Sequence, residues 1–153
     1  MATPTHQVLD LSDAITAAAV LRLQHAAYRI EADLIGFEGI PPLYETLEQL
    51  VEAPLQWIGV RSPDGDIAAV LAYTGDDTRI DIDRLIVSPD HFRNRYGTAL
   101  VAALDPTATV TVSTGSANAP AHRLYEGLGF VRIRAEEVVP GLSITHFVRK
   151  TQL

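Results

Sequence analysis

The chain contains no cysteine, a single methionine, a single tryptophan and four phenylalanines in 153 residues. The absence of cysteine excludes a disulfide framework, a thiolate metal site and a cysteine nucleophile. No apolar run approaches the roughly 18 residues that a membrane helix needs, and no charged-then-apolar signal segment opens the chain. A soluble cytoplasmic protein is therefore expected, with no membrane partner. Basic charge is also scarce: 12 Lys and Arg stand against 19 Asp and Glu, a net charge of −7 with no block of like sign. Binding a phosphate backbone requires a basic face, so nucleic acid is not an expected partner. The acidity suits a cationic amine, although it is an ordinary value for a soluble enzyme. The histidines His6, His25, His91 and His122 are too scattered for a metal set and read as surface or loop residues.

At 47% hydrophobic and 20% charged residues, the chain fits one globular domain spanning 1–153, with no linker, repeat or low-complexity segment. Thr5 to Asp10 reads as a short first strand. Ser12 and Asp13 supply a cap, and apolar residues at Ile15, Ala18, Ala19, Leu23, Ala26, Ala27 and Ile30 recur at helical spacing. The helix continues to Ile35 and breaks at Gly36. Pro41-Pro42 precedes a second helix, expected over Leu43–Glu52. Gln56–Arg61 and Ile67–Thr74 flank the turn Ser62-Pro-Asp-Gly65-Asp and form a hairpin. Gly75-Asp-Asp-Thr78 then turns the chain into a third strand. At the far end, Val131–Val138 and Leu142–Arg149 alternate around Pro140-Gly141 and read as a final hairpin.

The stretch that organises the chain runs from Arg79 to Phe130. A β-rich run, Ile80-Asp-Ile-Asp-Arg-Leu-Ile-Val87, feeds a proline loop carrying Arg93 and Arg95. The loop opens into an apolar helix starting at Gly97. The first turn of a helix leaves N–H groups unpaired and carries partial positive charge, so this corner can hold a phosphate; it can equally be a plain β-to-α connection with solvated arginines. A second corner follows. Ala108–Thr114 reads as a strand, Asn118 as an N-cap, Ala119–Glu126 as a helix with Pro120 in its first turn, and Gly127 and Gly129 as its end.

These residues resemble the Gcn5-related N-acetyltransferases (GNAT). Val87-x-Pro89, Gly97 eight residues after the proline, and Ala99-Leu100 match that family's acetyl-CoA motif. Asn118-x-Pro120-Ala121-x-x-Leu124-Tyr125-Glu126-x-x-Gly129-Phe130 matches the next motif without gaps. Together the two cover about a third of the chain. The resemblance implies an α/β (α+β) fold: a mixed, mostly antiparallel twisted sheet of six or seven strands with helices on both faces, splayed between the strand ending at Val87 and the strand ending near Thr114. One place departs from the pattern, since Arg95 stands where the family carries a glycine and Phe92 where it carries a polar residue. Glycine allows positive φ and close approach to a phosphate. Arg95 either lies in ordinary helical geometry and offers its guanidinium to a phosphate, or crowds the loop.

The resemblance further implies acetyl-CoA as cosubstrate and no metal. Its pyrophosphate would lie on Arg93, Asn94, Arg95, Tyr96, Gly97 and Thr98, its pantetheine arm along Leu85, Ile86 and Val87 and near Asn118, and its sulfur beside Tyr125. The acceptor would be a small-molecule or peptidyl amine, met by the helices after the first strand. An amine of pKa near 10.4 is free base in only about one molecule in 2,500 at pH 7, so a carboxylate or histidine should face it. Asp83 and Glu31 are the candidates, with His146 behind them, and Tyr125 is the candidate acid to the departing thiolate. Many members of the family are homodimers, and no segment of this sequence identifies an interface. The reading from another class is a non-catalytic CoA-binding or CoA-sensing domain, which Arg95 favours and the retained Tyr125 and Asn118 oppose.

Overall fold

The computed structural model describes residues 4–92 and 94–150. Arg93, assigned above to the phosphate loop, lies outside the described residues. Strand β1 (His6–Leu9) leads to helix α1 (Ala14–Ile35), two short helices α2 (Pro41–Tyr44) and α3 (Leu47–Glu52), and the meander β2 (Gln56–Arg61), β3 (Ile67–Gly75) and β4 (Arg79–Val87). Helix α4 (Tyr96–Ala102), β5 (Thr109–Gly115), α5 (Ala119–Gly127), β6 (Val131–Val139) and β7 (Leu142–Arg149) complete the chain. The seven strands form one sheet in the order β1-β2-β3-β4-β5-β7-β6. Every neighbouring pair is antiparallel except β4 and β5.

Helices cover both faces. Leu100 and Val101 of α4 and Tyr125 of α5 pack with Ile80, Ile82, Val110 and Phe147 on one face. On the other, Ala17, Val20 and Leu23 of α1 and Leu50 of α3 pack with Trp57, Val70 and Ile86. Asp13 caps α1 by accepting from the Thr16 N–H, and Gly36 ends the helix in the left-handed conformation with φ 70°, the C-terminal role that glycine fills without a Cβ clash.

Two features of the fold create the cleft. The parallel pairing of β4 with β5 covers only Arg79–Ile82 against Thr109–Val112, so the β5-facing side of Asp83–Val87 has no strand partner among the described residues. The second is a bulge in β4. Ala72 pairs with Arg84 but Tyr73 with Ile82, which leaves Asp83 as the extra residue. A bulge reverses the in–out alternation. Ile80 and Ile82 therefore face the α4–α5 side, whereas Ile86 faces the α1 side and Arg84 follows it there.

The helix expected over Leu43–Glu52 is broken. Glu45 is extended (φ −64°, ψ 137°), and Thr46 starts α3 with a capping box: its hydroxyl accepts from the Gln49 N–H, and the Gln49 side chain accepts from the Thr46 N–H. The Thr-x-x-Gln signature was present in the sequence. It outcompetes continuous helix because the break also releases Glu45 to turn inward.

Candidate active site

The splay opens a cleft of about 640 Å³ between α1, β4, β5 and α5. Helix α1 reaches over it. Ala17, Val20 and Gln24 are buried on the sheet, and the same helical stripe continues through Ala27, Tyr28 and Glu31, which line the cleft instead. Spacing of three and four residues thus aims Glu31 downward rather than into solvent. From the opposite wall, Asn118 caps α5, accepting from the Ala121 N–H at 3.2 Å and donating through Nδ2 to Glu31 Oε1 at 2.7 Å. Tyr125, two turns into α5, is 4% exposed, packs edge-on against Phe130 at 5.4 Å and tilted against Phe147 at 5.9 Å, and lines the same cleft.

Electrostatics tie these groups together. Burial pushes the Glu31 carboxyl above the ordinary range, only partly countered by the hydrogen bond from Asn118. Burial, then the Glu31 charge, pushes the Tyr125 phenol far above its usual value. Burial does the same to Tyr28, with Glu31 again adding to the effect. Low dielectric penalises the charged form of each group.

Arg84, a residue the sequence analysis passed over, forms the floor on the α1 side. Its Nη1 donates to Gln24 Oε1 at 2.9 Å and to Glu45 Oε1 at 2.8 Å, and its Nε to Asp83 Oδ2 at 2.6 Å. Gln24 also donates to the Pro42 carbonyl and to Glu45, and its residue is fully buried. Desolvation alone would lower the guanidinium pKa, but the hydrogen bond and charge of Asp83 and the hydrogen bond to Glu45 outweigh it and raise it. The signal was an arginine with Ile82 and Ile86 two residues to either side on a central strand, though only the bulge shows which face it takes. Arg84→Met is expected to lower stability by about 2–4 kcal/mol, because it strands Glu45 and Gln24 in a poorly solvated pocket. A denaturation midpoint measures this, and adding Glu45→Gln should restore part of the loss.

Asp83 lines the cleft, with its side chain 40% exposed and bound to Arg84. His146 is not among the cleft-lining residues. It bridges Ser113 Oγ (2.6 Å from Nδ1) and Glu136 Oε1 (2.7 Å from Nε2) across β5, β7 and β6. His122, read as surface or loop, is 9% exposed and bound to the Gly115 carbonyl and Arg132. His25 meets the Glu45 carbonyl. Among the described residues, no cluster of His, Cys, Asp or Glu is arranged to hold a metal, and no helix is long and apolar enough to cross a membrane.

At the other end, Leu85, Ile86, Val87, Phe92, Arg95, Tyr96, Gly97 and Thr98 line the cleft. Arg95 does not take the ordinary helical geometry that was one of the two expectations. It is the N-cap of α4 with φ 59° and ψ 26°, and it is the sole non-glycine residue with positive φ among the described residues. The loop has kept a glycine's backbone while carrying an arginine. Arg95→Gly should relieve left-handed strain of about 1–2 kcal/mol, offset by roughly 0.5–1 kcal/mol of added chain entropy. A small rise in melting temperature is the expected result. Gly97 differs: a Cβ there would sit 3.5–3.6 Å from Val87, Leu124 and Leu85, ordinary contact, so the chain's own packing does not demand glycine.

A split parallel pair with a β-to-α loop on one lip and an Asn-capped, tyrosine-bearing helix on the other is the arrangement that the resemblance to the acetyltransferases implies. The acetyltransferase (GNAT) family model matches residues 19–130, and the chain belongs to that family. It is 30% identical over 145 residues to the UPF0157 protein YqkA of Bacillus subtilis (strain 168), an alignment covering 92% of this chain but 42% of that one. The chain therefore spans less than half the length of that curated relative. Among solved structures, the ribosomal-protein-S18-alanine N-acetyltransferase of Escherichia coli superposes with a TM-score of 0.72 at 16% identity, covering 97% of this chain and 96% of the other. YncA of Salmonella typhimurium, a putative acetyltransferase solved with acetyl-CoA, gives 0.70 at 15% identity, covering 99% and 96%. At those identities the likeness is one of fold.

Proposed function

We propose that this chain is an acetyl-CoA-dependent N-acetyltransferase that transfers acetyl directly to a primary amine. The observation that carries the reading is the convergence of Glu31, Asn118 and Tyr125 beside the β5-facing edge of Asp83–Val87 in β4, which has no strand partner among the described residues. A free strand edge is a template for an extended, amide-containing arm, so Leu85, Ile86 and Val87 suit pantetheine. The left-handed turn at Arg95 and the bare backbone of Gly97 suit a close-lying pyrophosphate, with Asn94, Tyr96 and Thr98 beside it and the Arg95 guanidinium as its counter-charge. Bound there, acetyl-CoA supplies an activated acyl group, and the free N–H groups of the β4 edge can stabilise charge developing on its carbonyl oxygen.

Glu31 is the general base. Its raised pKa makes it a stronger proton acceptor than an ordinary carboxylate, and Asn118 holds the orientation of the oxygen that does not face the amine. Asp83 adds negative charge to the amine's approach, though Arg84 offsets much of it. Tyr125 faces the leaving sulfur. Because the Glu31 charge helps hold the phenol pKa up, neutralising Glu31 by proton transfer from the amine removes that contribution and makes Tyr125 a better donor. The base and the acid are thereby coupled in the order the reaction requires.

Calorimetry with acetyl-CoA followed by thiol release on an amine panel tests the reading. Micromolar binding with amine-dependent release supports it. Binding with no release on any amine would favour the non-catalytic CoA-binding reading, which rests on arginine replacing glycine at 95. Arg95→Gly separates two roles for that side chain: weaker CoA binding with a shallower salt dependence marks a phosphate contact, and tighter binding marks an obstruction.

A further inference from the structure

The two ends of the cleft differ in chemistry. Beyond Glu31 and Asp83, away from the α4 loop, the walls are the side chains of Ile30, Leu34 and Ile35 from α1, Ile40 before α2, and Leu142 and Ile144 from β7. Ile30 and Leu34 are 41% and 50% exposed. They stand beside Arg29 and Asp33, and Arg29 pairs with both Asp33 and Glu38 outside the cleft. Apolar side chains left open at one end of a concave site are a binding feature rather than a scattered surface exposure.

This end is also bounded. Ile35 closes on Gly115, where a Cβ would lie 3.3 Å from its Cγ2, and the Phe37 ring lies over Gly141 in the turn between β6 and β7. Apart from Arg95 and Tyr96 of the α4 loop and Tyr125 of α5, the ionisable side chains lining the cleft are Tyr28, Glu31, Asp83 and Arg84. Arg84 is committed to Gln24, Glu45 and Asp83. One cation is thus accommodated, at Glu31 and Asp83. A second ammonium further in would meet aliphatic side chains and the Ser113 and Thr114 hydroxyls but no further carboxylate, and one turned toward the floor would meet a guanidinium.

We propose that the acceptor is a monoamine with an apolar body, its ammonium at Glu31 and Asp83 and its body against Ile30, Leu34, Ile35, Ile40, Leu142 and Ile144. Such an amine is either a free alkyl- or arylalkylamine or the N-terminus of a chain that begins with an apolar residue. The inference rests on the acetyltransferase reading, and the test separates the two.

With saturating acetyl-CoA, thiol release is measured on propylamine to hexylamine, 4-phenylbutylamine, a phenylalanine-initiated tripeptide, spermidine and glucosamine. The expected result is a rise in kcat/KM of about threefold per methylene along the alkyl series, with the best apolar amine exceeding spermidine and glucosamine by at least tenfold. Preference for 4-phenylbutylamine over the tripeptide assigns a free amine, and the reverse assigns an N-terminus. Leu34→Glu, at a half-exposed position that tolerates charge, should lower kcat/KM for hexylamine at least tenfold and raise it for spermidine, with acetyl-CoA affinity unchanged. A preference for spermidine or glucosamine would overturn the inference and leave the acetyltransferase reading standing. So would a flat alkyl series combined with faster transfer from hexanoyl-CoA, which would place the acyl chain on these walls. Acetyl-CoA binding without release on any amine would overturn both.

Discussion

Tyr125→Phe is expected to lower turnover by roughly 10²–10⁴ while leaving acetyl-CoA affinity and stability close to wild type, the range that a positioned proton donor contributes. The structural conditions for a clean test are met. Tyr125 is 4% exposed and held by its ring against Phe130 and Phe147, contacts that phenylalanine keeps. No hydrogen bond from its hydroxyl to another described residue would be lost. The substitution therefore removes one O–H at the cleft wall and little else. Calorimetry should return an unchanged Kd, and steady-state kinetics should place the loss in kcat. An unaltered rate would remove Tyr125 from the mechanism and make it a core aromatic.

Glu31→Gln is expected to lower kcat/KM by about 10²–10³ near neutral pH and to abolish the acid limb of the wild-type pH profile. Gln keeps the shape and can still accept the hydrogen bond from Asn118, so the loss isolates the charge. The variant also carries a stability signature whose sign is determined by the pKa shift. The Glu31 pKa is raised in the folded protein because burial disfavours the carboxylate. The folded state thus binds its proton more tightly than the unfolded chain does. The group's contribution to stability is fully present below the unfolded pKa and is lost as pH rises through the raised folded value. Glu31→Gln should accordingly melt above wild type at pH 8, and the gap should close as pH falls toward the ordinary carboxylate range. Parallel melting curves of the two proteins across pH would show that the carboxylate is well solvated and that its role as a tuned base is wrong.

Much of the architecture was legible because it rests on short-range rules. The α1 stripe, the cap at Asp13, the stop at Gly36, the cap at Asn118 and both hairpins follow from spacing and turn chemistry within a few residues. The GNAT fold itself was legible from two motifs that name both lips of the splay. The helix expected over Leu43–Glu52 is broken because the Thr46–Gln49 capping box starts a new helix at that point. His122 was misread because a lone polar residue on a helix gives no sign of which neighbour will bury it.

The sequence by itself determined the family, the order of the strands along the chain and the two residues, Asn118 and Tyr125, whose motif positions are local. Only the tertiary structure decided what they meet. Glu31 reaches Asn118 across 87 positions of chain, Arg84 reaches Gln24 across 60, and neither separation leaves a mark on local composition. The bulge at Asp83 decided it for Arg84, since one extra residue moves every later side chain of the strand to the opposite face. At Arg95 the loop's geometry prevailed over residue preference. Several packed elements around a left-handed turn can hold a non-glycine residue there at a cost of about 1–2 kcal/mol, and that balance is a property of the assembled fold rather than of the residue.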